Sequence, residues 1–221
     1  MSRTDSVQEN IYLRLRDEII HLERLPGSAM SIYEVSDLMG VSRTPVREAF
    51  IRLMSESLIQ VLPQRRTLVS RIDFARVRQE HFLRMALETA ALKTFLVRAE
   101  DKHFARMQAA IDRQWQAVEQ DDAKAMLAWD DCFHQVIFDV AAQPLSWEII
   151  RDQNGHDRRA RMMVVRKAAQ ARHSIQEHEG LLSAFRERAQ QEAFRLLDDH
   201  LESLIAQEDQ LRQEYADYFE A

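Results

Sequence analysis

Residues 38–53 read Leu38-Met39-Gly40-Val41-Ser42-Arg43-Thr44-Pro45-Val46-Arg47-Glu48-Ala49-Phe50-Ile51-Arg52-Leu53, and this stretch decides the N-terminal fold. Upstream, Ser31 followed three residues later by Glu34 has the pattern of a capping-box helix start, with Val35, Leu38 and Met39 as the apolar face. Gly40 can take the left-handed conformation that ends a helix. A second helix follows a short turn. Ser42 or Thr44 can cap it, Pro45 is tolerated in its first turn, and Val46, Ala49, Phe50, Leu53 and Met54 recur at helical spacing. Arg43, Thr44, Arg47 and Arg52 fall off that face. The N-terminal residues of such a second helix meet base edges in the major groove, and the planar fork of arginine matches guanine O6 and N7. Surface arginine most often only solvates a helix, so more than spacing is needed.

The flanking chain supplies it. Leu58 to Leu62 and Thr67 to Arg71 are short β-prone runs around Pro63, Gln64, Arg65 and Arg66, which predicts a two-stranded hairpin with a basic tip. Helix, turn, helix and basic hairpin make a winged helix-turn-helix.

With the helix Asn10 to Leu22 and Leu25-Pro26-Gly27 before it, the run GVSRTPVREAFIRL resembles the DNA-binding domain of the GntR superfamily, over about residues 7 to 71. The resemblance implies Arg43 and Arg47 as base readers, Ser42 and Thr44 on phosphates or nearby bases, and the wing tip with Gln64, Arg65 and Arg66 at the minor groove. Ser57 and Arg66 stand where the family usually has glycine, which argues against tight backbone approach by the wing and offers an extra phosphate contact from Arg65 or Arg66. Tyr33 stands where some relatives have an arginine, so that contact does not transfer.

The net charge of −6 is unevenly distributed: before Ile72 there are 10 basic and 9 acidic residues, after it 20 and 27. The acidity belongs to the second part and leaves the first free to meet phosphate. A chain of 221 residues with 46% hydrophobic content has room for two packed cores. The single cysteine, Cys132, excludes an intrachain disulfide. No apolar stretch approaches membrane-spanning length, and Met1 to Ser6 lacks the plan of a signal peptide, so the expected location is the cytoplasm and no membrane partner is expected.

From Asp73 on, the pattern is helical, with Gly155, Gly180 and Pro144 the sole glycines and proline. Helices are predicted at about 74 to 99, 101 to 120, 122 to 141, 145 to 170, 174 to 188 and 190 to 218, forming an antiparallel bundle. The expected fold is mainly α, with a winged helix-turn-helix at residues 1–72 and an all-helical domain for effector binding and dimerisation at 73–221.

Within the bundle, Asp130 and His134 lie four apart on one helical face, and His178 and His200 lie 22 residues apart on two predicted neighbouring helices. Interleaved Phe133, Val136, Ile137, Leu181, Leu182, Leu197 and Leu201 place these polar groups toward the core. Three imidazoles and a carboxylate suit zinc, nickel or a similar divalent transition metal, although a lone helical histidine is more often only hydrogen-bonded or exposed. The region from about Val77 to Leu204 resembles the all-helical FCD effector domain of the FadR subfamily, and Asp130, His134, His178 and His200 fit each position of its metal pattern. The resemblance therefore implies a metal-centred pocket, with zinc first and nickel or manganese as alternatives. Gln143 replaces a frequent asparagine, and Arg188-Ala189 replaces the usual Gly-Asp between the last two helices.

Among the other candidates, His21, His103, His156 and His173 are expected to face solvent and Cys132 to be a small side chain in the bundle, while Asp131 is a competing ligand in principle whose three-residue offset from His134 fits the family pattern less well than Asp130 does. His81 and Arg84 lie three apart, and Arg84 takes the arginine position of the family's Leu-Arg-x-x-Leu-Glu segment, where it can clamp an effector carboxylate. The reading is a metabolite-responsive transcription regulator, expected to be a repressor, that binds an inverted-repeat DNA operator as a homodimer and senses a small carboxylate by population shift. A metal-dependent enzyme acting on a small carboxylate and a ligand-independent DNA-binding protein are the alternatives.

Overall fold

The computed structural model describes residues 3–62 and 66–220. The N-terminal part runs α1 (Arg3–Ile20), β1 (Ala29–Met30), α2 (Ile32–Met39), α3 (Arg43–Ser55), β2 (Ile59–Leu62) and β3 (Arg66–Val69). Its core takes Leu15 and Ile19 from α1, Val35 from α2, and Val46, Ala49, Phe50 and Leu53 from α3, all buried. In α2 the buried stripe is Val35 and Ser36, with Ile32 and Met39 half-buried at its ends. Leu38 lies one position off the stripe and is 65% exposed, and Met54, in the last turn of α3, is 37% exposed; both were expected inside.

Local chemistry sets the turn between α2 and α3. The Ser31 hydroxyl accepts from the Tyr33 N–H at the start of α2, and Gly40 ends it at φ 63° with its N–H on the Asp37 and Ser36 carbonyls. Ser42 occupies the cap position of α3 without a side-chain cap bond. The wing is one strand larger than the expected hairpin. β3 pairs antiparallel with β2 (Ile59 opposite Val69, Leu62 opposite Arg66) and also with β1 (Ala29 opposite Leu68), giving the order β1-β3-β2. Two residues, Ala29 and Met30, show neither alternation nor β-branching, so nothing in the sequence marks β1.

The bundle comprises α4 (Phe74–Arg98), α5 (Asp101–Glu119), α6 (Ala123–Ala141), α7 (Pro144–Asp152), α8 (Gly155–Val165), α9 (Ala168–Arg186), α10 (Gln190–Glu202) and α11 (Glu208–Glu214), with 3-10 turns at 205–207 and 216–218. The helix expected at 145 to 170 is thus two helices broken at Gln153-Asn154, and α9 begins at Ala168 rather than 174. The helix expected at 190 to 218 stops at Glu202. Beyond it the chain folds back so that Leu204, Leu211 and Phe219 join Leu22, Ile72, Phe74, Val77 and Met163 in a third core at the junction of head and bundle. Phe219 stacks on Phe74 at 5.3 Å, and Ile72 exchanges backbone hydrogen bonds with Tyr218 and Glu220. Among the described residues no helix is long and apolar enough to cross a membrane.

Candidate metal centre and DNA-reading surface

Arg43 opens α3, and with Ser42, Thr44 and Arg47 it is exposed on the first turns of that helix. The Arg43 guanidinium lies 3.9 Å from the centre of the Tyr33 ring, so the tyrosine on α2 supports the arginine it faces. Arg52, in the last turn, is turned to α1: it sits 3.6 Å over the Tyr12 ring and pairs with Glu9 at 2.5 Å. Arg66 is exposed at the start of β3, while Gln64 and Arg65 lie outside the described residues. Ser57, where glycine is usual, adopts φ 59° in the turn into β2, a left-handed conformation that costs a side-chain-bearing residue stability.

In the bundle, α6, α9 and α10 bring Asp130, His134, His178 and His200 together, all four buried, with one ligand atom from each within 4.8 Å of the others. His200 Nε2 is 3.3 Å from His134 Nε2 and 3.2 Å from His178 Nε2. Asp130 presents Oδ1 3.6 Å from His178 Nε2 and Oδ2 3.9 Å from His134 Nε2.

Each ring is oriented from behind by its other nitrogen. His134 Nδ1 meets Glu88 at 2.7 Å, His200 Nδ1 meets Glu177 at 2.8 Å, and His178 Nδ1 meets Gln114 Oε1 at 2.8 Å. The amide of Gln114 is itself oriented, because its nitrogen donates to the Trp129 carbonyl at 3.2 Å. Carboxylates and an amide oxygen only accept, so all three Nδ1 atoms carry the proton and all three Nε2 lone pairs face one another. Three such lone pairs repel unless a cation lies among them. Nitrogens bound tetrahedrally at 2.0–2.1 Å would be roughly 3.3 Å apart, close to the two spacings from His200 Nε2, so the donor set fits a divalent metal ion. Burial pushes His134 below the usual histidine range and His178 well below it, which keeps these ligands in the neutral, metal-binding form.

The carboxylates are held as anions. Burial alone would raise Asp130, but Arg161, which pairs with its Oδ2, and the histidines outweigh it and keep it well below the usual carboxylate range. Glu88 is wholly buried, and its contacts with His134 and Arg84 hold it low against the same burial penalty. Gln114 and Arg161 were absent from the sequence reading, and they reach the site from α5 and α8. Glu88, the last residue of the Leu-Arg-x-x-Leu-Glu segment, and Glu177, next to His178, stood within the family patterns without a role of their own. Asp131, a competing ligand by sequence, pairs instead with Arg158 and Arg161.

A cleft opens beside the quartet and is lined by His81, Arg84, Asp130, Asp157 and His200 among others. Arg84 is buried, with Nε on Glu88 at 2.6 Å and Nη2 without a partner. Helix α8 links this cleft to the head. On one side Asp157 and Arg161 line the cleft; on the other His156 accepts the Asp73 N–H at Nδ1 (3.0 Å) and donates from Nε2 to the Ser57 carbonyl (3.2 Å). Arg159, fully buried, donates to the Ser70 carbonyl at 2.6 Å. His156, spent on the junction, and His21, whose Nδ1 meets Asp17 four residues earlier, are therefore buried rather than solvent-facing, whereas Cys132, a small side chain of the bundle, is exposed.

A winged helix ahead of a helical bundle with a buried Asp/His quartet matches two family models in order: "Bacterial regulatory proteins, gntR family" over residues 7–69 and "FCD domain" over residues 79–203. The chain belongs to the GntR family of bacterial transcription regulators. It is 32% identical to the HTH-type transcriptional repressor RspR of Escherichia coli K12 over 219 residues, covering 99% of this chain and 96% of that one. A regulator from Streptomyces ambofaciens is also 32% identical, over 81% of this chain and 75% of its own. The fold recurs in E. coli McbR/YncC (TM-score 0.78, 21% identity, 97% and 100% of the two chains) and in a GntR regulator from Rhodococcus sp. RHA1 (0.79, 21%, 91% and 97%). These are regulators and not enzymes, which removes the catalytic alternative.

Proposed function

We propose that this GntR-family protein is a metabolite-responsive repressor whose C-terminal pocket, built on Asp130, His134, His178 and His200, holds a divalent metal ion and senses a small carboxylate. The observation that carries this reading is the convergence of three Nε2 atoms, His200 Nε2 lying 3.2 and 3.3 Å from the other two, with every Nδ1 occupied from behind. When bound there, the ion supplies a Lewis-acidic anchor for a carboxylate; zinc suits the three imidazoles and one carboxylate, with nickel or manganese as alternatives. Arg84 lines the same cleft and offers its free Nη2 to that carboxylate.

Residues 1–72 form the DNA-reading unit in this proposal and residues 73–221 the effector and dimerisation unit, working in the cytoplasm. Arg43 and Arg47 read bases, Ser42 and Thr44 hold phosphate or neighbouring bases, and Arg65 or Arg66 meets phosphate at the wing, with Gln64 beside it. Arg52 acts more weakly, because Glu9 and Tyr12 already hold it. A homodimer presents two heads to an inverted repeat, and effector binding shifts the population toward an arrangement of heads with altered operator affinity.

The test is an operator titration, with the site first selected from random DNA. Arg47→Ala should weaken operator binding by about 1 to 3 kcal/mol and random DNA much less. Equal losses on both remove the base-reading role. A small carboxylate should shift the operator affinity of the wild type and leave His178→Ala unmoved; an unchanged response in His178→Ala removes the sensing role of the quartet.

A further inference from the structure

Two residues that line the cleft keep a buried polar atom without a hydrogen-bond partner: Arg84 Nη2, a donor, and Asp157 Oδ2, an acceptor. Asp157 stands in the first turn of α8, where an aspartate usually accepts from free backbone N–H groups. Here those groups are taken by a residue of another helix: Glu80 of α4 accepts from the His156 N–H at 2.9 Å and from the Asp157 N–H at 2.8 Å. No cation of α8 is bonded to Asp157. Arg158 pairs with Asp131 and Arg161 with Asp130 and Asp131, while Arg159 donates to the Gly155 and Ser70 carbonyls and keeps Nη2 unpartnered. A carboxylate 2% exposed with an oxygen left unsatisfied is unfavourable unless a ligand brings a donor to it.

We propose that Asp157 is a second effector-binding residue, and that the effector is a small acid bearing an O–H or N–H donor together with its carboxylate: a hydroxy or amino acid rather than a plain carboxylic acid. This rests on the reading of the cleft as a carboxylate sensor and adds to it the group that selects among carboxylates. Arg84 takes the carboxylate and Asp157 the donor. Part of the remaining lining agrees: beside apolar side chains such as Val164 and Leu201, residues Ser174, Ser203, Gln170 and Gln207 bring hydroxyls and amides suited to a polar molecule.

Calorimetric titration of the full-length, metal-loaded protein with succinate, malate and aspartate tests this, because the three share a four-carbon diacid frame and differ in the presence of a hydroxyl or an ammonium group. Malate or aspartate should bind at least about ten-fold more tightly than succinate, the range of a hydrogen bond to a charged group. Whichever leads identifies the donor as hydroxyl or ammonium. Asp157→Ala should remove that lead while leaving succinate binding within a few-fold. Asp157→Asn, which keeps the shape, serves if the alanine variant does not fold, and should cut the lead because a neutral amide oxygen accepts more weakly. Equal affinity of the three acids for the wild type, or a lead that survives in Asp157→Ala and Asp157→Asn, overturns the proposal. Arg84→Gln separates the underlying reading: unchanged succinate binding in that variant refutes Arg84 as the carboxylate clamp, whatever becomes of the donor preference.

Discussion

Glu88 shows how much of the centre depends on a residue that binds no metal. Its two oxygens serve Arg84 and His134, so one side chain neutralises a buried guanidinium and fixes an imidazole tautomer. Glu88→Gln should lower metal affinity by about 10- to 100-fold, because an amide can turn its NH₂ to His134 and favour the tautomer that hides the lone pair. Competition with a graded chelator measures this; an unchanged affinity refutes the orienting role. Asp130 and His134 were legible as a pair, since a four-residue spacing on one helix survives any uncertainty about helix ends, and His178 and His200 joined them through the resemblance to the FCD pattern. The roles of Gln114 and Glu177 were not legible, because their contacts span 64 and 23 residues between helices whose mutual rotation no local pattern records. His156 was read as a surface residue for the same reason: its partners, Ser57 and Asp73, come from the head and the linker. At Arg188 the chain takes φ 56° where the family pattern has glycine, and the guanidinium offsets the strain by donating to the Leu96 and Ala99 carbonyls.

At the scale of elements, α8 joins the cleft to the head, and its start was hidden inside a predicted helix of 26 residues although Asn154-Gly155 is a turn signal. Gly155 is required by contact: a Cβ there would lie 2.7 Å from Leu58 Cδ2, and Leu58 is itself buried in the head. Gly155→Ala should therefore destabilise the protein by about 1 to 3 kcal/mol, and Leu58→Val should recover part of that loss in the double variant. Thermal denaturation of the four proteins checks it; additive losses show that the two residues do not meet.

The same helix carries a pH signature. Burial, then the charge of Arg159, pushes His156 down to about 3, while burial raises Glu80 to about 7. Because the unfolded chain protonates His156 first, its contribution is complete above pH 6.5 and is lost as pH falls toward 3. Glu80 acts in the opposite sense: its contribution is complete below pH 4.5 and is lost as pH rises through 7. The stability advantage of wild type over His156→Gln should accordingly shrink between pH 6.5 and 3.5. A gap that does not change with pH contradicts the buried, neutral imidazole.

For the whole molecule, the order of head and bundle was readable because each carries its own periodicity and motif, and the charge divides at the same place. The closing segment was not. Leu204 and Leu211 read as part of one helix ending near 218, but the junction left a hydrophobic gap at Ile72, Phe74 and Val77 that a straight helix would not reach, and filling it with Leu204, Leu211 and Phe219 outweighs further helical turns. Head, linker and C-terminus thus share one core beside α8, which in the proposed function gives a change at the cleft a packed route to the head. The proposed sensing depends on the ion. The most direct measurement is the metal-to-protein ratio of the purified wild type, His134→Ala and His178→Ala by elemental analysis, alongside circular dichroism to show that the variants fold. The expected result is about one divalent ion per wild-type chain and loss of that ion from both variants with DNA binding retained; wild-type protein without a stoichiometric ion after metal reconstitution, or full occupancy in both variants, would contradict the metal-centred sensor.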